Sequence, residues 1–382
     1  MLLVQTLFQA IEHAAHKEGF ERFGVAPAVH PEMRELEFFA DWIDAGYGGE
    51  MEYLKRRSDS GEYKRSSLEQ ALPWAKSVVV VAMNYNSGVG KSTEPAEPSQ
   101  GWISRYALSP RDYHETVLAA LRRVETTLVN EVRTTGSEVT TRVYVDTGPV
   151  LERVYAKYAG IGWVGKNTCI INQELGSWIF LGVIVTSVEY SAFVPDQKLE
   201  IAADRCGSCT RCIDACPTQA FVGPRRLDAS RCIAYFTIEK RGAIPEEMRD
   251  KIGRHVFGCD ICQDVCPWYR NAPVTTNSDF KADESLVNPD LSTFAQISAQ
   301  EFRQRFRGSP IARAKHSGFL RNIAVAMGNS GLSEYRAELE QLASNEDPIV
   351  AEHAGWAIEK LTQNHSTFVS AEKVLASAAE SE

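Results

Sequence analysis

The chain lacks the features that would tie it to a membrane, an exported compartment or a nucleotide. No basic segment followed by an apolar core opens it. Met1 to Phe20 carries Glu12, His13, Lys17 and Glu18, and Leu3, Leu7, Ile11 and Ala14 fall on one side of an amphipathic helix, not an export signal. The longest apolar run, Trp178 to Val185, is far short of the ~20 residues a membrane-spanning helix requires. No Gly-x-Gly-x-x-Gly stands in a strand–turn–helix context and no phosphate-binding loop is present, which removes the common dinucleotide and nucleoside-triphosphate fingerprints. Positive charge is in deficit as well. A net charge of −9 argues against a generic nucleic-acid binder while leaving room for a local basic patch. The expected location is cytoplasmic, without a membrane partner.

What is present is an ordinary globular composition, 44% hydrophobic and 24% charged over 382 residues, enough for two or three domains with real cores. Ser77 to Tyr85, Thr141 to Val145 and Ser177 to Val188 read as strands. His114 to Val132 has helical periodicity, and a helix from Val150 to Ala159 is closed by Gly160. This mixture predicts an α+β region over residues 1–200. Beyond Pro273 the character becomes helical. Phe319, Leu320, Ile323, Ala324 and Met327 form one face, stopped at Gly328-Asn329-Ser330-Gly331. Tyr335, Leu339 and Leu342 form a second face, and Asp347 caps a third helix with Pro348 at its first position. Residues 276–365 therefore read as a HEAT-like helical unit, and 366–382 as a frayed Ser/Ala/Glu tail.

Between these regions, residues 201–275 hold eight of the nine cysteines. With no export signal, clustered cysteines point to metal, not disulfides. Cys206-x2-Cys209-x2-Cys212-x3-Cys216-Pro217 is the bacterial ferredoxin run, in which the fourth cysteine ligates the other cluster. Cys259-x2-Cys262-x3-Cys266-Pro267 repeats its end, with Cys232 upstream. Cross-ligation then places one [4Fe–4S] cluster on Cys206, Cys209, Cys212 and Cys266, and a second on Cys216, Cys232, Cys259 and Cys262. Two four-cysteine zinc sites would use the same count, but zinc ribbons seldom run three cysteines at this spacing into Cys-x3-Cys-Pro. Cys169 is left over as a small hydrophobe. Two clusters in series imply a one-electron relay whose acceptor the spacing does not identify. Asp112-Tyr113-His114 resembles the start of the Asp-x-His-x-x-Gly cobalamin signature, but Val117 stands where its glycine belongs.

Several strings then occur together, in one order, from about residue 20 to residue 361. They are Val145-Asp146-Thr147-Gly148-Pro149, Ala159-Gly160-Ile161-Gly162-Trp163 running into Gly165-Lys166-Asn167, Arg231-Cys232-Ile233, Ser309-Pro310, Leu320-Arg321-Asn322 and His353-Ala354-Gly355-Trp356-Ala357. In this combination the chain resembles the cobalamin-dependent epoxyqueuosine reductases of bacterial tRNA modification. The chain departs from the family pattern at Ser109-Pro110, ahead of Arg111-Asp112-Tyr113-His114, where a glycine is usual.

The resemblance implies three parts: a nitroreductase-like cobalamin domain (1–200), a ferredoxin-like two-cluster domain (201–275) and a HEAT-like helical domain that helps hold tRNA (276–365). It implies reduction of epoxyqueuosine to queuosine at the wobble position of tRNA by cobalamin, fed with electrons by the clusters. Asp146 would be the general acid, its pKa raised by burial; in the sequence alone it could equally cap the Val150 helix. Family cobalamin contacts fall on Arg65, Ser104, Asp146, Lys166, Asn167, Ile170, Leu181 and Lys240. Between Phe302 and Asn322 lie Arg303, Arg305, Arg307, Arg313, Lys315 and Arg321 without one acid, a local charge reversal suited to tRNA phosphates. An unidentified low-potential donor and a monomeric state are expected. Two rivals remain, a cobalamin enzyme acting on a small molecule and a non-catalytic electron carrier. The basic segment and terminal helices argue against the first, and about 200 residues ahead of the clusters argue against the second.

Overall fold

The structure is a computed structural model describing residues 6–270 and 272–379, with side chains as far as Gln363. It divides into two compact units. The first comprises residues 1–89, 109–230 and 261–281, and the second residues 90–108, 231–260 and 282–382.

The first unit is built on helix α1 (Leu7–Lys17), strands β1 (Arg22–Pro27) and β2 (Ser77–Asn84), helix α2 (Tyr113–Thr134), strand β3 (Thr141–Tyr144), helix α3 (Glu152–Tyr158) and strand β4 (Ile179–Thr186). The strands form one antiparallel sheet in the order β1-β2-β4-β3. The β-branched run of β2 is buried at every residue because both faces are covered. Val78, Val80 and Ala82 face a cluster with Val150, Val154, Tyr155 and Ile161 from the α3 side. On the opposite face Leu121 of α2 reaches Gly182 of β4 beside Val81. Each such aliphatic side chain contributes about 1.5–3 kcal/mol on burial, so the sheet centre is the anchor from which the loops project.

The strands expected over Ser77, Thr141 and Ser177 are present within a few residues of their predicted ends. Strand β1 is an addition. Its six residues include Gly24 and Pro27, weak strand formers, and they are held by full pairing with β2. Helix α1 opens on a capping box, the Thr6 hydroxyl accepting from the Gln9 N–H. Ile11 and Ala14 lie on its buried side, as its periodicity predicts, while Leu3 lies outside the described residues. The cysteine-bearing stretch of this unit has short elements: the four-residue helices Arg211–Asp214 and Ile261–Asp264, a 3-10 helix, Pro267–Tyr269, and a small hairpin, Phe221–Gly223 with Arg226–Leu227.

In the second unit the longer helices are α4 (Glu246–Ile252), α5 (Ala299–Arg305), α6 (Lys315–Ser330), α7 (Arg336–Ala343) and α8 (Pro348–Ala379). Helix α6 is buried continuously from Gly318 to Gly328, so it is a central helix wrapped on all sides, not an amphipathic surface one. It runs through Gly328 and ends at Gly331, whose left-handed φ of 73° caps it. Gly328 remains inside because a Cβ there would lie 2.8 Å from that of Ala357 on α8. Helix α8 starts as expected, with the Asp347 carboxylate accepting from the Ile349 N–H at 2.9 Å. It continues to Ala379, through residues whose composition reads as tail; 380–382 lie outside the described residues. Among the described residues no helix is long and apolar enough to cross a membrane.

Two strings that carried the resemblance hold this unit together. His353 is fully buried, its Nε2 accepting from the Ile244 N–H at 3.0 Å and its Nδ1 facing the Ile349 carbonyl at 2.7 Å. Burial pushes its pKa down to about 4, which keeps it neutral. Arg321 is 1% exposed. Its guanidinium donates to the carbonyls of Lys240 (2.9 Å), Gly242 (2.8 Å) and Phe236, and Asn322 secures Thr237 and Val256 in the same way. The placement of Arg321 among phosphate-binding residues is therefore corrected: a buried guanidinium saturated by carbonyls fixes the 236–242 backbone instead. Arg321→Met is expected to cost roughly 3 kcal/mol or more, because several buried carbonyls lose their donor. Exposed Arg307→Met is expected to stay within ~0.5 kcal/mol. Equilibrium denaturation of the two variants checks this.

Candidate functional site

In the first unit, Cys206, Cys209, Cys212 and Cys266 line one cavity together with Lys166, Asn167, Ile171, Arg205, Arg211, Pro267 and Trp268. These are the four thiols that the spacing assigns to a single cluster. Convergence of four soft donors from segments about 50 residues apart is what a cubane requires, and no sulfur of the set is paired as a disulfide. Of the second set, Cys216 and Cys262 belong to this unit, and Cys232 and Cys259 to the other. The Cys216 sulfur accepts from the Ala220 N–H at 3.4 Å. Cys169 is half-buried, its thiol donating to the Gln263 amide oxygen at 3.7 Å.

The surroundings of the first set come from the glycine-rich stretch. The Trp163 indole N–H donates to the Cys206 sulfur at 3.4 Å, and its ring meets Trp268 edge-on at 5.0 Å. Such donors to sulfur tune a cluster's potential. The Lys166 ammonium donates to the carbonyls of Gly207 (2.7 Å) and Cys209 (3.0 Å), pinning the first Cys-x2-Cys loop. Asn167, 3% exposed, donates to the Cys262 carbonyl at 3.3 Å. These two side chains thus hold the cysteine loops. Ile170 pairs with Val164 in a short hairpin and belongs to the apolar core, and Leu181 lies on β4 against the same core.

Asp146 stands in the turn after β3 with a φ of 61°, a left-handed conformation that Asp tolerates better than most residues. The turn is tight: a Cβ on Gly148 would sit 2.4 Å from the Tyr144 ring. Asp146 is exposed and caps nothing, because the N-cap position of α3 is Leu151 and no side chain caps the helix. Its Oδ2 instead accepts from the Tyr113 hydroxyl at 2.9 Å. Tyr113 is buried and held by stacking, at 4.2 Å and 5° on Phe180, which stacks in turn on Tyr85 at 4.2 Å. The expectation of a buried Asp146 is not met within the protein itself; the side chain opens to solvent.

The sequence gives little warning of Glu152. It reads as an ordinary acid in the first turn of a helix. The side chain is half-buried, yet its Oε1 is enclosed without a hydrogen-bond partner among the described residues. Burial pushes its carboxyl up to about 7, the charge of Asp146 adds to this, and Arg65 and Arg153 oppose it. Arg65, Asp146 and Glu152 thus form one charged group. Tyr113 is the other residue missed; its position at the start of α2 was legible, its contact with Asp146 was not.

The remaining candidates belong to the second unit. The Ser104 hydroxyl donates to buried Asp260, which also accepts from the Arg105 N–H at 2.6 Å. Lys240 is half-buried. Arg303, Arg305, Arg307, Arg313 and Lys315 are exposed. Arg313 pairs with Glu239 at 2.6 Å, and Arg305 lies 4.8 Å over the Phe294 ring. Lys315 opens α6 with φ 61° and ψ 161°, a combination that L-residues rarely adopt.

Comparison with known proteins bears on both features. A model of 4Fe–4S double-cluster binding domains matches residues 205–269, and a model of the epoxyqueuosine reductase QueG matches residues 65–147. The chain is 41% identical to the epoxyqueuosine reductase of Xanthomonas campestris, over 91% of this chain and 94% of the relative. It is 35% identical to that of Escherichia coli, over 95% and 92%. A crystal structure of an epoxyqueuosine reductase with an epoxyqueuosine-modified tRNA-Tyr stem loop superposes with a TM-score of 0.78 at 28% identity, over 92% of this chain and 89% of that one. The Bacillus subtilis enzyme, solved with its catalytic aspartate loop swung out of the active site, superposes with a TM-score of 0.77 at 27% identity, over 92% and 89%. With relatives this similar along nearly its whole length, the chain belongs to the epoxyqueuosine reductase family.

Proposed function

We propose that the chain reduces epoxyqueuosine to queuosine at the wobble position of tRNA. The observation that carries this is the match, over nearly the full chain, to a reductase solved with the modified stem loop. The net reaction takes two electrons and two protons, opens both epoxide C–O bonds, and leaves an alkene and water.

Asp146 is the general acid. Its open position suits a group that must reach a substrate carried on RNA, and the Tyr113 hydroxyl orients its carboxylate. Cys206, Cys209, Cys212 and Cys266 hold one [4Fe–4S] cluster; Cys216, Cys232, Cys259 and Cys262 hold the other. Arg65, Asp146, Ile170, Leu181, Ser104 and Lys240 are the candidates to hold cobalamin. The enclosed, unpartnered Glu152 oxygen beside Arg65 and Asp146 fits a site that awaits another group. Lys166 and Asn167 fit cobalamin less well, being engaged with cysteine-loop carbonyls. When bound, cobalamin and the clusters supply low-potential electrons. Residues 1–200 act as a nitroreductase-like cobalamin region, 201–275 as the ferredoxin-like relay, and 276–365 as a HEAT-like support. Arg303, Arg305, Arg307, Arg313 and Lys315 contact tRNA phosphates. The enzyme works as a cytoplasmic monomer.

The test is anaerobic reconstitution with iron, sulfide and cobalamin, followed by incubation with epoxyqueuosine-tRNA and a chemical reductant. Queuosine in the product nucleosides is expected. Protein that holds ~8 irons and cobalamin yet leaves the tRNA unchanged would overturn the reading.

Glu152 adds a pH prediction. A carboxyl raised from 4.5 to about 7 favours the folded state while protonated; this stability is present below the ordinary value and lost as pH rises through the folded one. Glu152→Gln is therefore expected to gain about 1–3 kcal/mol over wild type near pH 8 and little near pH 4.5. Denaturant melts at the two pH values check it.

A further inference from the structure

We propose that the surface carrying Arg205, Arg211 and Arg270 is the docking face for a small acidic electron-carrier protein, through which electrons enter the cluster of Cys206, Cys209, Cys212 and Cys266. This rests on the functional reading above and names the class of its electron donor.

Two cavities of the first unit share Arg211 and Pro267. One is lined by the four thiols with Arg205, Arg211 and Lys166, and the other is a groove lined by Arg211, Asp214, Asp264, Pro267, Tyr269 and Arg270. The cluster site therefore adjoins a groove that carries Arg211 and Arg270 beside Asp214 and Asp264. Arg205, Arg211 and Arg270 are all exposed, and none makes an ion pair among the described residues. Elsewhere in this unit some exposed arginines are paired, Arg111 with Asp279, Arg123 with Glu18 and Arg225 with Asp204, and others, such as Arg34 and Arg122, make no ion pair among the described residues, so what distinguishes these three is their place beside the thiols. The acids of the face are few. Asp204 is exposed and paired with Arg225, Asp264 is buried, and Asp214 is exposed, accepting from the Thr210 hydroxyl at 2.7 Å. Lys166 adds a fourth cation whose ammonium lies on the loop carbonyls.

The three arginines are also placed by the cysteine run: Arg205 precedes Cys206, Arg211 precedes Cys212, and Arg270 lies four residues after Cys266. A carrier that binds them is brought to the cluster itself. The chain's net charge of −9 would repel an acidic protein elsewhere, but screening confines that repulsion to ~10 Å at 0.1 M salt, so a local patch decides where it lands. An RNA backbone would also suit arginines. The carrier is favoured because the patch surrounds a redox centre, whereas the acid-free basic segment lies at 303–315. In each encounter the carrier loses one electron and the cluster gains one; two encounters and two protons complete one turnover.

The test uses the fully reconstituted enzyme and follows bleaching of the clusters' visible absorption in stopped flow, which needs no tRNA. Flavodoxin hydroquinone and reduced methyl viologen are the two reductants. The ratio of flavodoxin-driven to viologen-driven rates is expected to fall about 10-fold or more at low salt in R211E/R270E. It is expected to fall less in R211Q/R270Q, and the wild-type ratio to decline with added salt. An unchanged ratio in the charge-reversed variant with iron content intact overturns the proposal. So does a loss confined to tRNA affinity, which would assign the arginines to RNA. Failure of the functional reading would show separately, as normal bleaching without queuosine.

Discussion

Asp146→Asn is expected to lower epoxide reduction by about 10²–10⁴-fold, the range over which a positioned general acid contributes, while cluster content remains that of wild type. The amide keeps the size of the side chain and an oxygen for the Tyr113 hydroxyl, so the turn with its φ of 61° has no new reason to move. Only the transferable proton is removed. Two readouts separate this from a structural effect. Tyr113→Phe keeps the stacking on Phe180 but removes the O–H that orients the carboxylate, so it should lower the rate by less than Asp146→Asn does. Single-turnover rates on modified tRNA give the size of each effect. Full activity in Asp146→Asn would exclude the acid role and move attention to Glu152, the other carboxyl of that group.

The second large effect concerns the thiols. Cys266→Ser is expected to remove about half of the iron, ~4 of ~8 atoms, and to abolish reduction of the tRNA, because one of two relay stations is lost. Folding should suffer too. The segments that bear Cys206 to Cys216 and Cys262 to Cys266 contain four-residue helices, too little structure to bury a core of their own. In such a segment the bound metal supplies folding free energy directly. Iron and sulfide content, electron paramagnetic resonance of the reduced protein and a thermal melt would measure it. Retention of all the iron would break the assignment of Cys266 to the first set, and zinc in place of iron would break the cluster reading altogether.

Much of this was legible in the chain itself. The spacing of the cysteines assigned Cys266, not Cys216, to the set with Cys206, Cys209 and Cys212, and the same four line one cavity. That inference works because a cubane dictates how far apart its ligands lie, so the pattern is chemical and local. Strand β2 was legible because a β-branched run buried on both faces looks the same whatever surrounds it. Helix α7 and the start of α8 were legible from apolar spacing and a capping acid.

Other features depend on what the chain meets in three dimensions. A lysine after a glycine-rich loop can face a cofactor or a carbonyl equally well. Only the fold places Lys166 on Gly207 and Cys209, residues 41 and 43 positions away. Arg321 shares a composition with its exposed basic neighbours, yet it sits on a helix buried on all sides, so its guanidinium meets carbonyls and no solvent. Asp146 and Tyr113 are 33 residues apart, and no periodicity links them. The sequence by itself determined the metal chemistry, the strand and helix types and the family, because these rest on spacing and local pattern. The tertiary structure decided which charges are buried, which lysine supports a loop and which tyrosine holds the acid, because burial and partnership are set by segments distant in the chain.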